Sequence, residues 1–74
     1  MRIVQAVRSQ FAENLKRQRA RAGLSQEALA DRCDLHRTEI SLLERGKRSP
    51  RLETIVTLAR GLDLISAAAL IDPI

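Results

Sequence analysis

Aromatic side chains are almost absent from this 74-residue sequence, which has one phenylalanine and neither tryptophan nor tyrosine. Proteins that bind single-stranded nucleic acid stack its bases on aromatic side chains, so we do not expect that mode of binding. No apolar stretch approaches the roughly 20 residues that a membrane-spanning helix needs. The N-terminus also lacks the succession of basic, apolar and small-residue segments that marks a signal peptide. These absences predict a cytoplasmic protein with no membrane partner.

Cysteine and histidine occur once each, as Cys33 and His36. A single cysteine cannot form an internal disulfide, and a structural zinc ion needs about four ligands, so we expect neither a metal nor a cofactor. Cys33 follows an apolar helical stripe, which favours a small buried side chain over a redox-active thiol. No nucleophile–base pair has a recognisable spacing. We therefore expect no catalytic residues and a protein that is not an enzyme.

Basic residues dominate the charge of the chain. Thirteen lysines and arginines oppose nine acidic residues, and eleven of the thirteen cations are arginine, which suits bidentate contacts to phosphate and guanine. Residues 1–60 carry a net charge of +6, whereas residues 61–74 carry −2. A basic body with a mildly acidic, apolar tail predicts two surfaces with different partners. The alternative is a basic protein without a polyanionic partner.

Apolar residues recur every three or four positions, which is the periodicity of helices. Five helices are predicted, over about residues 9–22, 25–33, 36–45, 51–61 and 65–71. Residues 1–8 either extend the first helix or form a separate N-terminal arm. Gly23 ends the first helix, Ser25 caps the second, and Glu39 reaches back to cap the third. We expect one all-α domain over residues 1–74, since a chain this short has room for a single core. The inward positions predict a core of Phe11, Leu15, Leu24, Leu29, Leu35, Ile40, Leu43, Leu52, Ile55, Leu58, Ala59 and Leu62.

Helices two and three are joined by only three residues, Asp34 to His36. Two helices with so short a link pack at a steep angle, which leaves the second projecting from the surface. The outward face of the third helix carries two arginines, two hydroxyl groups, one leucine and no acid: Arg37, Thr38, Ser41, Leu42 and Arg45. Arginine binds guanine, hydroxyl groups contact phosphates or base edges, and an apolar side chain contacts the thymine methyl group. This face predicts a major-groove surface, with a merely solvated helix face as the alternative.

The end of the third helix and the loop after it are strongly basic. Arg45, Lys47, Arg48 and Arg51 place four cations within seven residues, with no acid between them. Such a density suits contacts to DNA phosphates, which supply much of the salt-dependent affinity of DNA-binding proteins. For Arg51, a solvated side chain is an equally good interpretation.

Two segments resemble the Cro/repressor-type helix-turn-helix family, also called the xenobiotic-response-element family. They are RARAGLSQEALA, from Arg19 to Ala30, and HRTEISLLERGKRSP, from His36 to Pro50. The likeness covers about residues 9–64, and its motifs occur in the family's order. The chain departs from the family at Asp34 and Asp63, where glycine is usual. In this family the third helix is the recognition helix, which binds DNA, and serine, threonine or aspartate usually caps it. In this sequence His36 occupies the capping position.

The resemblance implies a compact five-helix, lambda-repressor-like fold whose helices two and three form the helix-turn-helix. It implies a sequence-specific regulator of transcription that binds double-stranded DNA, similar to a phage repressor or a restriction–modification controller, and the short chain predicts a stand-alone regulator. It implies contacts to bases from Arg37, Thr38, Ser41 and Leu42, and contacts to phosphates from Ser25, Gln26, Arg45, Lys47, Arg48 and Arg51.

The resemblance further implies an ion pair between Arg19 of the first helix and Glu44 at the end of the recognition helix. Glu44 lies on the inward face beside Ile40 and Leu43, where an unpaired charge is costly. Arg19 follows Leu15 by one turn, so its side chain can point back into the domain. The alternative is that both side chains are solvated.

Apolar residues crowd the end of the chain, at Leu62, Leu64, Ile65, Leu70, Ile71 and Ile74. A domain this small is not expected to bury them all, and an exposed apolar patch usually marks an interface. We therefore expect residues 62–74 to form a dimerisation tail, with contacts from Leu64, Ile65, Leu70 and Ile71. A two-fold homodimer would bring two recognition helices to the half-sites of a palindromic operator.

Two alternatives to this dimer remain open from the sequence. In the first, the fifth helix packs back and closes the core. In the second, the tail or the N-terminal residues Ile3, Val4 and Val7 bind a different protein. The chain would then be an antitoxin that masks a toxin and also binds its own operator.

Overall fold

The computed structural model describes residues 2–73, and over this range the chain folds into five α-helices. They are α1 (Arg2–Arg21), α2 (Gln26–Cys33), α3 (Arg37–Glu44), α4 (Leu52–Gly61) and α5 (Ala68–Ile71). The predicted all-α fold is confirmed, although α5 is shorter than the predicted helix over 65–71. Residues 2–8 continue α1, so the separate N-terminal arm is wrong. No helix in the described range is long and apolar enough to cross a membrane. Ile74, part of the predicted tail, lies outside that range.

Two aspartates occupy positions at which the backbone is left-handed. Asp34, in the turn between α2 and α3, has a φ angle of 55°, and Asp63, just after α4, has a φ angle of 56°. These are the two places where the sequence departs from the glycine that is usual in the resembling family. Aspartate adopts the left-handed conformation at lower cost than most residues do. The turns therefore keep a glycine-like geometry without glycine.

The core combines side chains from all five helices. Its fully buried members include Phe11, Leu15, Leu29, Ile40, Leu43, Leu58 and Leu70. Three residues of the predicted core, Leu24, Leu35 and Ile55, are only partly buried against this cluster. The prediction for Leu52 is wrong, since its side chain is 74% exposed. Leu52 is the first residue of α4 and lies at the edge of that helix's inward face.

The C-terminal tail is packed into the domain more completely than the sequence predicts. Leu62 and Leu70 are buried, and Leu64 packs against the core, so the tail closes the core from one side. The prediction of Leu70 as a dimerisation residue is therefore wrong, because its side chain is fully covered within the chain. Ile65 is fully exposed, and Ile71 remains 36% exposed.

A buried asparagine ties this tail to α1. The Nδ2 group of Asn14 donates hydrogen bonds to the backbone oxygens of Leu70, at 2.9 Å, and Asp72, at 2.8 Å. Its Oδ1 atom accepts from Gln10 Nε2 at 3.0 Å and from an Arg17 guanidinium N–H at 2.7 Å. Both ends of the amide are thus satisfied, which offsets the cost of burying a polar side chain. Directional hydrogen bonds from Asn14 therefore hold the tail in place, in addition to the burial of its apolar side chains.

Helices α2 and α4 approach each other so closely at Gly61 that no side chain fits there. A Cβ atom on Gly61 would lie 2.4 Å from Cys33 Sγ, a distance that real Cβ atoms essentially never show. Cys33 is buried, and its thiol donates to the backbone oxygen of Thr57 at 3.6 Å. Burial raises the pKa of the Cys33 thiol, which keeps it protonated. The cysteine therefore serves packing, as the sequence predicts.

We expect Gly61→Ala to lower the free energy of unfolding by about 1–3 kcal/mol, because the added methyl group overpacks the contact between α2 and α4. Alanine is a better helix former than glycine. A loss of stability would therefore be due to the contact with Cys33 and not to helix propensity. Urea unfolding followed by circular dichroism measures the change. In a Cys33→Ala background the same substitution should cost much less, since the sulfur it meets is gone. Equal costs in both backgrounds would contradict this account.

Candidate nucleic-acid interface

The turn between α2 and α3 holds the two helices in a fixed relation. The backbone N–H of Leu35 donates to the oxygen of Ala30 at 2.9 Å, which closes the end of α2. On α3, Ile40, Leu43 and Glu44 are buried against the rest of the domain. The opposite face of α3 is consequently turned away from the core.

The residues predicted to face bases all lie on this outer part of α3. Arg37 and Thr38 are exposed, whereas Ser41 and Leu42 are partly buried. Within residues 2–73, Arg37 forms no ion pair. Its guanidinium group is therefore available to an external acceptor.

A shallow groove of about 710 Å³ runs beside this outer face. It is lined by the turn after α2, by α3, and by the loop and first turn that follow, including His36, Thr38, Glu39, Leu42, Arg48 and Arg51. The walls carry both signs of charge and only a few apolar side chains. Among the described residues, no group of three or more histidine, cysteine, aspartate or glutamate side chains could hold a metal ion.

The four cations at the end of α3 and in the following loop are not equivalent. Arg45, Lys47 and Arg51 are exposed and have no acidic partner within the described part of the chain. Arg48, by contrast, forms an ion pair with Glu39 of α3. The prediction that Glu39 caps α3 is wrong, since within residues 2–73 no hydrogen bond joins its carboxylate to the start of α3, and the carboxylate accepts from Arg48.

Helix α1 supports the same loop from the other side. The Nε atom of Arg8 donates to Ser49 Oγ at 2.9 Å. Gly46, with a φ angle of 67°, turns the chain at the end of α3 and lies against the backbone of Arg8 and Ser9. Arg8 thus brings a further cation to residues 45–51, the basic loop. Sequence reasoning missed it because residues 1–8 had no assigned place in the fold.

The N-terminus of α2 carries two of the residues predicted to contact phosphate. Ser25 caps the helix, and its Oγ accepts from the N–H of Ala28 at 3.0 Å. Gln26 Nε2 donates to Glu44 Oε1 at 3.1 Å. An amide NH₂ group has two donors, so Gln26 keeps one N–H for another acceptor. The unpaired backbone N–H groups of a helix N-terminus also favour an anion.

The predicted pair between Arg19 and Glu44 is present, and it is bidentate. Arg19 Nε lies 2.6 Å from Glu44 Oε2, and Arg19 NH2 lies 2.9 Å from Oε1. Arg19 NH1 donates to the backbone oxygen of Leu24 at 2.8 Å. The Glu44 side chain is only 3% exposed, and the hydrogen bonds to Glu44 raise the pKa of Arg19 above its ordinary value. The pair joins α1 to the end of α3 beside the entry to α2.

A helix-turn-helix of this kind is found in known proteins. The model of a family described as helix-turn-helix matches residues 15–70 of the chain. The chain belongs to this helix-turn-helix family. The match spans α2, α3, the basic loop and α4, and it confirms the resemblance to Cro/repressor-type proteins.

Two known control proteins match most of the chain. Control protein C.BamHI from Bacillus amyloliquefaciens is 40% identical over 57 residues, which cover 76% of this chain and 70% of that protein. The structure of the restriction-modification controller protein C.AhdI from Aeromonas hydrophila matches with 37% identity and a TM-score of 0.83, covering 88% of this chain and 97% of that one.

A third match was solved together with DNA. The restriction-modification controller protein C.Esp1396I, a tetramer in complex with its natural 35 base-pair operator, is 28% identical and superposes with a TM-score of 0.79. The alignment covers 85% of this chain and 83% of that one.

We expect Glu44→Ala to lower the free energy of unfolding by up to about 3–5 kcal/mol, because removing the buried carboxylate leaves the Arg19 guanidinium, only 21% exposed, without its charged partner. Thermal unfolding followed by circular dichroism measures the loss. Glu53→Ala, which removes an exposed acid of α4, is the matched control and should have little effect. Glu44→Gln keeps one acceptor and should lie between the two. A Glu44→Ala variant that melts within a degree or two of the parent would show that the pair does not hold α3 in place.

Proposed function

We propose that this helix-turn-helix protein is a transcriptional regulator of the restriction–modification controller type, which binds its operator with α3 in the major groove. The observation that carries the proposal is the two-sided character of α3. One face is anchored in the core and ends at Glu44. The other carries the exposed Arg37 and Thr38 and the partly buried Ser41 and Leu42. The controller proteins among its relatives support the same function. Because such a regulator acts on the DNA of the cell, we assign it to the cytoplasm.

Different segments supply the two kinds of DNA contact in this proposal. Arg37 binds a guanine edge, Thr38 and Ser41 donate to bases or phosphates, and Leu42 contacts a thymine methyl group. Phosphates are bound on both sides of α3, by the N-terminus of α2 and by the basic loop. The phosphate-binding residues are Ser25, Gln26, Arg45, Lys47, Arg48 and Arg51. Phosphate contacts fix the position of the protein, and base contacts select the sequence.

Salt-dependent binding tests the proposal directly. The operator is first obtained by selecting bound sequences from a random pool of duplex DNA, and affinity is then measured by fluorescence anisotropy at several salt concentrations. Eight phosphate contacts per dimer would give a log–log slope of about −7. A slope near zero, or the absence of any selected sequence, would reject the proposed function.

Two substitutions separate the base contacts from the phosphate contacts. Lys47→Ala should weaken binding to all sequences alike and flatten the slope by roughly one unit per protomer. Arg37→Ala should cost about 1–3 kcal/mol at one base pair and relax the preference there. Arg60→Ala removes an exposed cation from the last turn of α4 and serves as the control. If Arg60→Ala changed binding as much as Lys47→Ala, the effects would reflect net charge and not these contacts.

We infer further that the protein binds DNA as a homodimer. Ile65 is fully exposed just after α4, and Ile71 is partly exposed at the end of α5. Both were predicted as interface residues, and they are the large apolar side chains that the described part of the tail leaves exposed. Leu64 packs mainly against the core of its own protomer, so it contributes at most to the edge of the dimer interface. A two-fold dimer would place two α3 helices about one turn of DNA apart.

Ile65→Lys should shift the protein from dimer to monomer in sedimentation velocity, because a charged side chain would have to be buried in the interface. It should weaken binding to the full operator more than binding to a single half-site. The fold should be unaffected, since the Ile65 side chain is fully exposed in the protomer. Ile3→Lys makes the same change at another exposed isoleucine and is the control. A dimeric Ile65→Lys variant would place the interface elsewhere. Deleting the tail is not a clean test, because Leu70 belongs to the core.

The antitoxin alternative requires a surface that a toxin could cover. Much of the apolar tail is buried within its own domain, and Ile3 and Val4 are the exposed apolar residues near the start of α1. No feature of the described residues favours a toxin over a second copy of the chain. Co-purification with a different protein would be the sign of such a partner.

A further inference from the structure

One cation of the basic loop is neutralised within the protein. Arg48 pairs with Glu39, although Arg45, Lys47 and Arg51 have no acidic partner within residues 2–73. Helix α3 carries two acids, and the other one, Glu44, is buried in its pair with Arg19. Glu39 is therefore a negative charge on the recognition helix that does not anchor the helix to the core.

The pair lies where DNA would lie in the proposed complex. Glu39 precedes Leu42 by three residues, so the two side chains share a side of α3. Both line the groove of about 710 Å³, together with Thr38, Arg48 and Arg51. The side chains of Glu39 and Arg48 are 24% and 52% exposed, respectively. A phosphate that entered this groove would meet the carboxylate and the guanidinium together.

A paired Arg48 attracts a phosphate much less than a free arginine does. The repulsion between the Glu39 carboxylate and the DNA backbone offsets the attraction of the Arg48 guanidinium, so the pair as a whole is close to neutral. An exposed ion pair is nevertheless weak, so a closely placed phosphate can take the guanidinium away from Glu39. The guanidinium would then release counterions like any other phosphate contact. The distance between Arg48 and the DNA backbone therefore decides which partner it keeps.

On the basis of the proposed function, we propose that Glu39 is a positioning residue that determines specificity through Arg48. Glu39 holds Arg48 in the free protein and also on non-operator DNA, because there the DNA backbone does not fit closely into the protein groove beside α3. On the operator, the base contacts of α3 bring a phosphate close enough to displace the carboxylate. Glu39 thereby lowers the affinity for non-operator DNA more than the affinity for the operator.

Glu39→Gln, which removes the charge and keeps the shape, tests this inference. At about 0.15 M salt we expect the affinity for non-operator duplex to rise about fivefold per protomer, with a slope steeper by about one unit per protomer. Affinity for the selected operator should rise less, so the ratio of the two affinities falls. Glu53→Gln makes the same charge change on α4 and should leave the ratio unchanged. Unfolding temperature should be the same for the parent and for both variants, because both acids are at least partly exposed.

The same substitution in an Arg48→Ala background shows whether Glu39 acts through Arg48. We expect Glu39→Gln to lose most of its effect on affinity and slope there. An effect of equal size without Arg48 would mean that the carboxylate repels DNA directly, and the inference would be wrong. A change confined to one base pair of the operator would also overturn it, since Glu39 would then contact a base. These outcomes differ from failure of the proposed function, in which the parent protein itself shows no salt-dependent binding.

Discussion

The ion pair between Arg19 and Glu44 fixes the direction in which the recognition helix points. Ile40 and Leu43 bury one face of α3, but apolar contacts have no direction and tolerate small rotations of a helix. The bidentate pair is directional, because two nitrogens of one planar guanidinium meet both oxygens of one carboxylate. Arg19 also binds the backbone oxygen of Leu24, at the entry to α2. One side chain of α1 thus positions both helices of the helix-turn-helix, since Arg19 binds the end of α3 through Glu44 and the entry to α2 through Leu24.

Helix α1 carries a second buried polar anchor, which serves the other end of the molecule. Asn14 holds the C-terminal tail through the backbone oxygens of Leu70 and Asp72. The surface proposed for dimerisation, at Ile65 and Ile71, is therefore attached to the same helix as the surface proposed for DNA binding. In a dimer, the separation of two recognition helices would depend on how rigidly α1 connects these anchors. Both anchors are satisfied hydrogen-bond sets, and no buried side-chain nitrogen or oxygen lacks a partner within residues 2–73.

The basic residues of the chain have different roles in the structure. Arg19 forms an ion pair with Glu44 inside the fold, and Arg17 binds the buried Asn14. Arg8 supports the loop after α3, whereas Lys47 and Arg37 remain without acidic partners in the described residues. The count of thirteen lysines and arginines therefore overstates the number of cations that are free to meet DNA. Which arginine is free depends on the acids that the fold brings to it.

The sequence by itself determined the features that depend on local spacing. The periodicity of apolar residues, the cap at Ser25 and the short link after Cys33 are readable within a few residues, and the inward position of Glu44 follows from the same periodicity. Asn14 also lies on the buried face, at the i, i+3, i+4 spacing with Phe11 and Leu15, but its polar side chain conceals the signal. Only the tertiary structure decided that Leu70 enters the core, that Leu52 stays outside it, and that Glu39 meets Arg48 and not its own helix terminus. Each of these outcomes depends on contacts between segments distant in sequence or on where a helix end falls against its neighbours. Local periodicity holds no information about such distances, because the same side chain can satisfy its local pattern whether or not a distant segment covers it.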